Sequence, residues 1–209
     1  MVNKIGIVWF RQDLRINDNI ALNKLVDNCE KIIPLYILDD SFKLGGASKW
    51  WLHHSLYQLK KSLIKKNSTL YFFKGSPIKI LFKLIENYKV DIIHWNRLYD
   101  KDSVLRDSEI KNRLKKNNIE ISSFKGSLIN EPWSIKNKSN SFFKVFTPYW
   151  NNCLENTNTI KLPKIIKKIN TLDINSNENL QLEDLRLFPK NSRWTKILSL
   201  HWVPGEIQA

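Results

Sequence analysis

The chain has 209 residues, 42% of them hydrophobic, and 34 Lys and Arg against 20 Asp and Glu give it a formal charge of +14. That length holds one ordinary domain with a tail, or two small ones. No apolar run approaches a membrane span and the N-terminus has no signal-like hydrophobic region, so a cytoplasmic protein without a membrane role is expected. Cys29 and Cys153 have neither metal-ligand spacing nor the density of a secreted disulfide scaffold, which fits a reducing compartment and gives no metal site. The positive charge suits a polyanion such as nucleic acid, whose counterions are released on binding. It equally suits a Lys-rich coding bias that sets lysines on solvated helix ends.

Ile5 to Phe10 is an apolar run of buried-strand type. A charged turn follows, Arg11, Asp13 and Arg15, and then a helix capped by Asn17 or Asp18 with Ile20, Leu22, Leu25 and Val26 on its inner face. Strand, charged loop and helix form the first half of a βαβ unit, and the loop at the carboxyl end of such a strand is where open α/β sheets place ligands. The charges at this loop either meet a ligand or pair with one another to hold the turn.

Lys31 to Leu38 reads as the second strand, ending at Asp39-Asp40. The next helix, about Ala47 to Lys65, carries Trp51, Leu52, Leu56, Leu59 and Leu63 at three- and four-residue spacing. Ser68 to Lys74 is strand three, and Gly75-Ser76-Pro77 opens a helix with Ile78, Leu81, Phe82 and Ile85 as its stripe. Val90 to Trp95 is strand four. Asp100 or Asp102 caps a helix to about Lys115, and Ile119 to Phe124 is strand five. The expected fold is α/β: a five-stranded doubly wound parallel sheet of Rossmann-like type with helices on both faces. After residue 130 the texture changes. Phe142 to Leu154 is dense in aromatics, and Asn156 to Asn179 reads as a surface linker.

No glycine-rich phosphate cradle is present, neither G-x-G-x-x-G after strand one nor a P-loop. His53, His54, His94 and His201 lack metal-ligand spacing. In the usual doubly wound order strands one and four are neighbours, which sets Phe10 and Arg11 beside Trp95, Asn96, Arg97, Tyr99 and Asp100. Aromatic faces with an acid and two arginines can sandwich a flat heterocycle and bond its edge. The same residues could instead cover the sheet end, with Asp100 capping the next helix.

Four stretches carry a resemblance. V-W-F-R-Q-D-L-R-I-N-D-N-I-A-L (Val8 to Leu22) resembles the DNA photolyase and cryptochrome family, whose opening reads W-F-R-x-D-L-R-x-x-D-N-x-A-L. L-G-G-A-S-K-W-W-L-H-H-S-L (Leu44 to Leu56), K-V-F-T-P-Y-W (Lys144 to Trp150) and W-V-P-G-E-I-Q-A (Trp202 to Ala209) are similar to later segments of that family. The resemblance implies a photolyase-type antenna-binding domain over 1–130, an interdomain linker with an aromatic segment over 131–192, and the start of a truncated FAD-binding helical domain over 193–209.

In H-W-N-R-L-Y-D (His94 to Asp100), matched through the following Arg106-Asp107, the family's antenna-binding acid falls on Asp100, with Trp95, Asn96, Arg11 and Phe10 as the other expected cofactor contacts and no catalytic or metal residue. The antenna would be a folate, deazaflavin or flavin that passes absorbed energy to FAD. The FAD itself is expected only with the helical domain, and no FAD contact can be carried over to this chain. Nor are the eight tryptophans expected to be the family's electron-transfer chain. The expected function is the N-terminal antenna-binding part of a light-driven cyclobutane pyrimidine dimer photolyase, not repair-competent alone, with damaged DNA as the family partner. A separate helical-domain polypeptide is the further partner that this reading implies. The alternatives are a cryptochrome-like or stand-alone nucleotide- or flavin-binding light sensor without catalysis, and a folded remnant that binds nothing.

Overall fold

A computed structural model describes residues 3–41, 43–156, 164–175, 178–189 and 193–208. The strands are β1 (Ile5–Phe10), β2 (Lys31–Leu38), β3 (Tyr71–Lys74), β4 (Ile92–Asn96) and β5 (Glu120–Phe124). Between and after them run α1 (Ile20–Asn28), α2 (Gly46–Ile64), α3 (Pro77–Tyr88), α4 (Lys101–Lys115), α5 (Phe146–Asn156) and α6 (Arg193–His201). The sheet order is β3-β2-β1-β4-β5 and every strand pair is parallel. This is the doubly wound arrangement expected, with β1 central and its order reversing there.

Alternation along the buried strands splits the core in two. Val8, Phe10, Ile32, Tyr36 and Phe72 face one side with Leu22 and Leu25 of α1 and Leu56, Leu59 and Leu63 of α2. Ile7, Trp9, Ile33, Leu35 and Trp95 face the other with Leu81 and Leu84 of α3 and Ile110 and Leu114 of α4.

Three local details differ from expectation. Asn19, not Asn17 or Asp18, caps α1, its side chain accepting from Leu22 N–H, because Asp18 sits in the left-handed region at φ 49°. On α2 it is Trp50 that is buried, at 1% exposure, while Trp51 is 43% exposed. The third concerns the expected linker, which falls partly outside the described residues at 157–163, 176–177 and 190–192. Its described part packs rather than skirting the surface: Ile166, Ile169, Leu182, Leu185 and Leu187 join the first core and Ile174 the second. This strap also bonds the sheet, with Thr171 pairing to Ile32 and Leu180 to Phe72.

The aromatic segment is open to solvent. Phe142, Phe146 and Trp150 are 64%, 71% and 49% exposed, and the Phe146 and Trp150 rings stack at 6.2 Å, one turn apart on α5. Exposed apolar patches of this kind mark interaction faces.

Candidate functional site

The carboxyl ends of β1, β2 and β4 meet α4 around one buried ion cluster. Arg11, the residue after β1, is only 7% exposed. Its Nη1 donates to both Asp107 carboxylate oxygens at 2.8 Å, and its Nη2 donates to the Asn96 carbonyl. Trp95 Nε1 donates to Asp107 Oδ2 at 3.0 Å. Arg106 completes the group, its Nη1 3.3 Å from Asp39 Oδ2 and its Nη2 3.4 Å from Asp107 Oδ1. Below lie two tryptophans, Trp9 and Trp95, edge to face at 5.7 Å. The Arg11 and Arg106 guanidinium carbons stand 5.0 and 5.4 Å from the Trp9 ring, within cation–π range. Burial pulls the Arg11 pKa below its usual value, and Asp107 opposes that shift.

A second polar layer holds the β1–α1 loop. Asn96 Nδ2 donates to Asp13 at 2.6 Å and to Asn19 at 3.0 Å, while Asp13 Oδ1 accepts from Arg11 N–H at 2.9 Å. Burial raises the Asp13 pKa, against the bonds from Arg11 N–H and Asn96. Arg15 reaches across to the Gly126 carbonyl.

Beside the cluster opens a cleft of about 960 Å³, a size suited to a small-molecule ligand. Trp9, Arg11 and Arg106 line it together with Asp39, Tyr36 and Leu38 from β2 and its end. Trp51, Leu52 and Leu44 form an apolar wall, and Gly205 and Glu206 also line the cleft. Three N–H groups of lining residues, Trp9 Nε1, Arg11 Nε and Arg106 Nε, are buried without an acceptor in the protein. A buried donor in that condition costs about 1–3 kcal/mol.

Of the five residues expected from sequence, Arg11, Trp95 and Asn96 come together in the ion cluster, and Arg11 lines the cleft. Phe10 is fully buried on the opposite face of the sheet. Asp100 is exposed and serves as N-cap of α4, accepting from Ser103 N–H at 2.9 Å. That bond is the chief cause holding its pKa below the usual carboxylate range.

Asp107, Arg106, Asp39, Trp9 and Glu206 were not expected as site residues. The signal for Asp107 was in the stripe of α4: Ser103, Asp107, Ile110 and Leu114 are its buried face, so an acid sits where periodicity calls for an apolar residue.

Among the described residues no group of three or more His, Cys, Asp or Glu could hold a metal ion. No helix there is long and apolar enough to cross a membrane.

A family model described as DNA photolyase matches residues 6–167. The deoxyribodipyrimidine photo-lyase of Agrobacterium fabrum is 37% identical over 97% of this chain and 42% of its own length. Cryptochrome-2 of Arabidopsis thaliana is 32% identical over 98% of this chain and 34% of its own. Among solved structures, a bacterial class III photolyase from Agrobacterium tumefaciens superposes with TM-score 0.91 at 35% identity, covering 99% of this chain and 43% of that one. An archaeal photolyase from Sulfolobus tokodaii, solved with two FAD molecules and discussed as having a novel light-harvesting cofactor, gives TM-score 0.70 at 25% identity over 90% of this chain and 42% of its own. The chain thus spans less than half the length of these relatives.

Proposed function

Because this chain belongs to the DNA photolyase family, we propose that it is the antenna-binding part of a light-driven DNA repair lyase of the cyclobutane pyrimidine dimer class. Its role is to hold a pigment that absorbs light and passes the energy to FAD in a helical part. Repair of damaged DNA requires that helical part, in the same or a separate polypeptide, and this chain alone does not repair.

The observation that carries the reading is the cleft in which Arg11 and Arg106 stand beside Trp9 and the apolar wall at Trp51 and Leu52. Folate, deazaflavin and flavin each present a ring edge bearing carbonyl and nitrogen acceptors. Such an edge bonds to the arginines while the ring lies against Trp9 and the apolar wall at Trp51. Asp107, Trp95 and Asn96 act from beneath by holding Arg11. Phe10 supports the strand from the core, and Asp100 acts on α4.

The helical part would cover the aromatic face at Phe142, Phe146 and Trp150. A second reading is favoured by the match to a plant cryptochrome over 98% of this chain: the same cleft serving a light sensor without catalysis.

The test is an absorption spectrum of the purified chain, with the pigment released and identified by mass. A stoichiometric folate, deazaflavin or flavin supports the cleft as an antenna site, and Arg106→Leu should then lose most of it. Colourless protein that takes up none of the three when they are added removes the claim.

A further inference from the structure

The segment after α6 folds back over the cleft and is tied there by one carboxylate. Trp202 packs edge-on to Trp51, ring centroids 5.8 Å apart. Gly205 turns the chain at φ +121° and lies against Gln58 of α2, where a Cβ would come within 2.9 Å of the Gln58 Cβ. That position therefore accepts only glycine, for conformation and for space. Residues 206–208 then form a short 3-10 turn. From it Glu206 reaches the β1–α1 loop, its Oε2 accepting from Ile16 N–H at 2.8 Å and its Oε1 from Asn17 N–H at 2.7 Å.

We infer that Glu206 is a positioning residue for the cleft, a latch that joins the segment after α6 to the loop at residues 15–18 and sets the shape of the cleft between them. The inference rests on the reading of that cleft as a pigment site. The two loop amides point at one side chain from consecutive positions, and a carboxylate answers both, one oxygen each, with charge-assisted bonds. Glutamine has one such oxygen and turns its NH2 toward the other donor. Both ends of the latch lie at the cleft: Glu206 and Gly205 on one side, Asn17, Asp18 and Arg15 on the other, all lining it. Binding in the cleft and docking of 202–206 are then one coupled equilibrium, and the coupling is reciprocal. A pigment that fills the cleft holds the segment down, and a displaced segment loosens the pigment.

The experiment uses the full chain as wild type, Glu206→Gln and Glu206→Ala. Amide hydrogen exchange is read first, without ligand. Exchange at Ile16 and Asn17 should rise on the order of tenfold in the Gln variant and further in the Ala variant, with the α3 amides of Leu81 and Leu84 unchanged. The same proteins are then titrated with FMN, a 5-deazaflavin and a reduced folate, and the Ala variant should bind the pigment that wild type takes about tenfold more weakly or worse. Unchanged exchange at Ile16 and Asn17 overturns the latch. Faster exchange with undiminished pigment affinity overturns the positioning role. Wild type that binds none of the three pigments overturns the reading of the cleft instead, and the exchange result still decides the latch. Should the Ala variant fail to fold, the Gln variant, which keeps one acceptor, carries both measurements.

Discussion

Arg11 and Asp107 are 96 positions apart in sequence and meet in the core, one guanidinium nitrogen 2.8 Å from each carboxylate oxygen. The pair welds the end of β1 to α4, and through Trp95 Nε1 it also engages β4. A buried charge that loses its partner is far more costly than the pair is beneficial. Asp107→Asn should therefore destabilise the chain by about 3–5 kcal/mol, measured by urea unfolding. A loss under about 1 kcal/mol, the scale of an exposed pair, would mean the two groups are hydrated and not a buried weld.

Asp13 gives a pH signature of the opposite sense to most native carboxylates. Burial raises its folded-state pKa above the ordinary 3.8, so the fold binds this proton more tightly than the unfolded chain does. Its stabilising contribution is complete below pH 3.8 and is lost as pH rises through the folded value. Relative to Asp13→Asn, wild type should lose about 1.4 kcal/mol per pH unit across that rise. Paired denaturant titrations from pH 3.5 upward check this, and a constant difference between the two proteins would refute it.

His94 behaves in the mirror sense. It lies on β4, 3% exposed, edge-on to Phe124 at 4.9 Å, and burial lowers its pKa from 6.5. The fold prefers the neutral ring, so this contribution is present above pH 6.5 and is lost as pH falls below that toward the folded value. His94→Gln should be less stable at pH 7.5 yet lose less on going to pH 5.5. Burial lowers His53 and His54 as well, so part of the slope will remain. Parallel loss in both proteins would show that His94 is not its source.

Asp100 separates a helix cap from a ligand contact. Its bond to Ser103 N–H predicts that Asp100→Ala costs about 1 kcal/mol of stability and leaves pigment retention within twofold. Loss of pigment from a folded Asp100→Ala protein would return this acid to the binding site.

What could be read in the residues divides along physical lines. The five strands and the helices between them were legible because short continuous apolar runs alternate with segments whose apolar residues recur at about 3.6, and the parallel order followed from the alternation of strand and helix. Trp50 and Trp51 were exchanged because adjacent residues on a helix differ by only about 100° and both can lie near the boundary of the apolar stripe. The packing of Ile166, Ile169 and Ile174 was illegible, since a strap that is neither helix nor strand leaves no period to detect. At the site, Arg11 announced itself by standing at the end of the first strand. Asp107 gave only a weaker signal, its place on the buried stripe of α4, and its partners, Arg11 and Trp95, are brought to it only by the fold.

The strap also has a timetable. β3 is an edge strand, and the residue that pairs with Phe72 along it is Leu180, which leaves the ribosome long after β5 has ended at Phe124. At about 5–20 residues per second, the sheet can be assembled for several seconds while that edge still offers its backbone to any other strand. An open edge of this kind invites pairing between nascent chains. Faster synthesis through residues 125–180, or a chaperone resting on β3, should raise the yield of folded protein without altering a single contact in it.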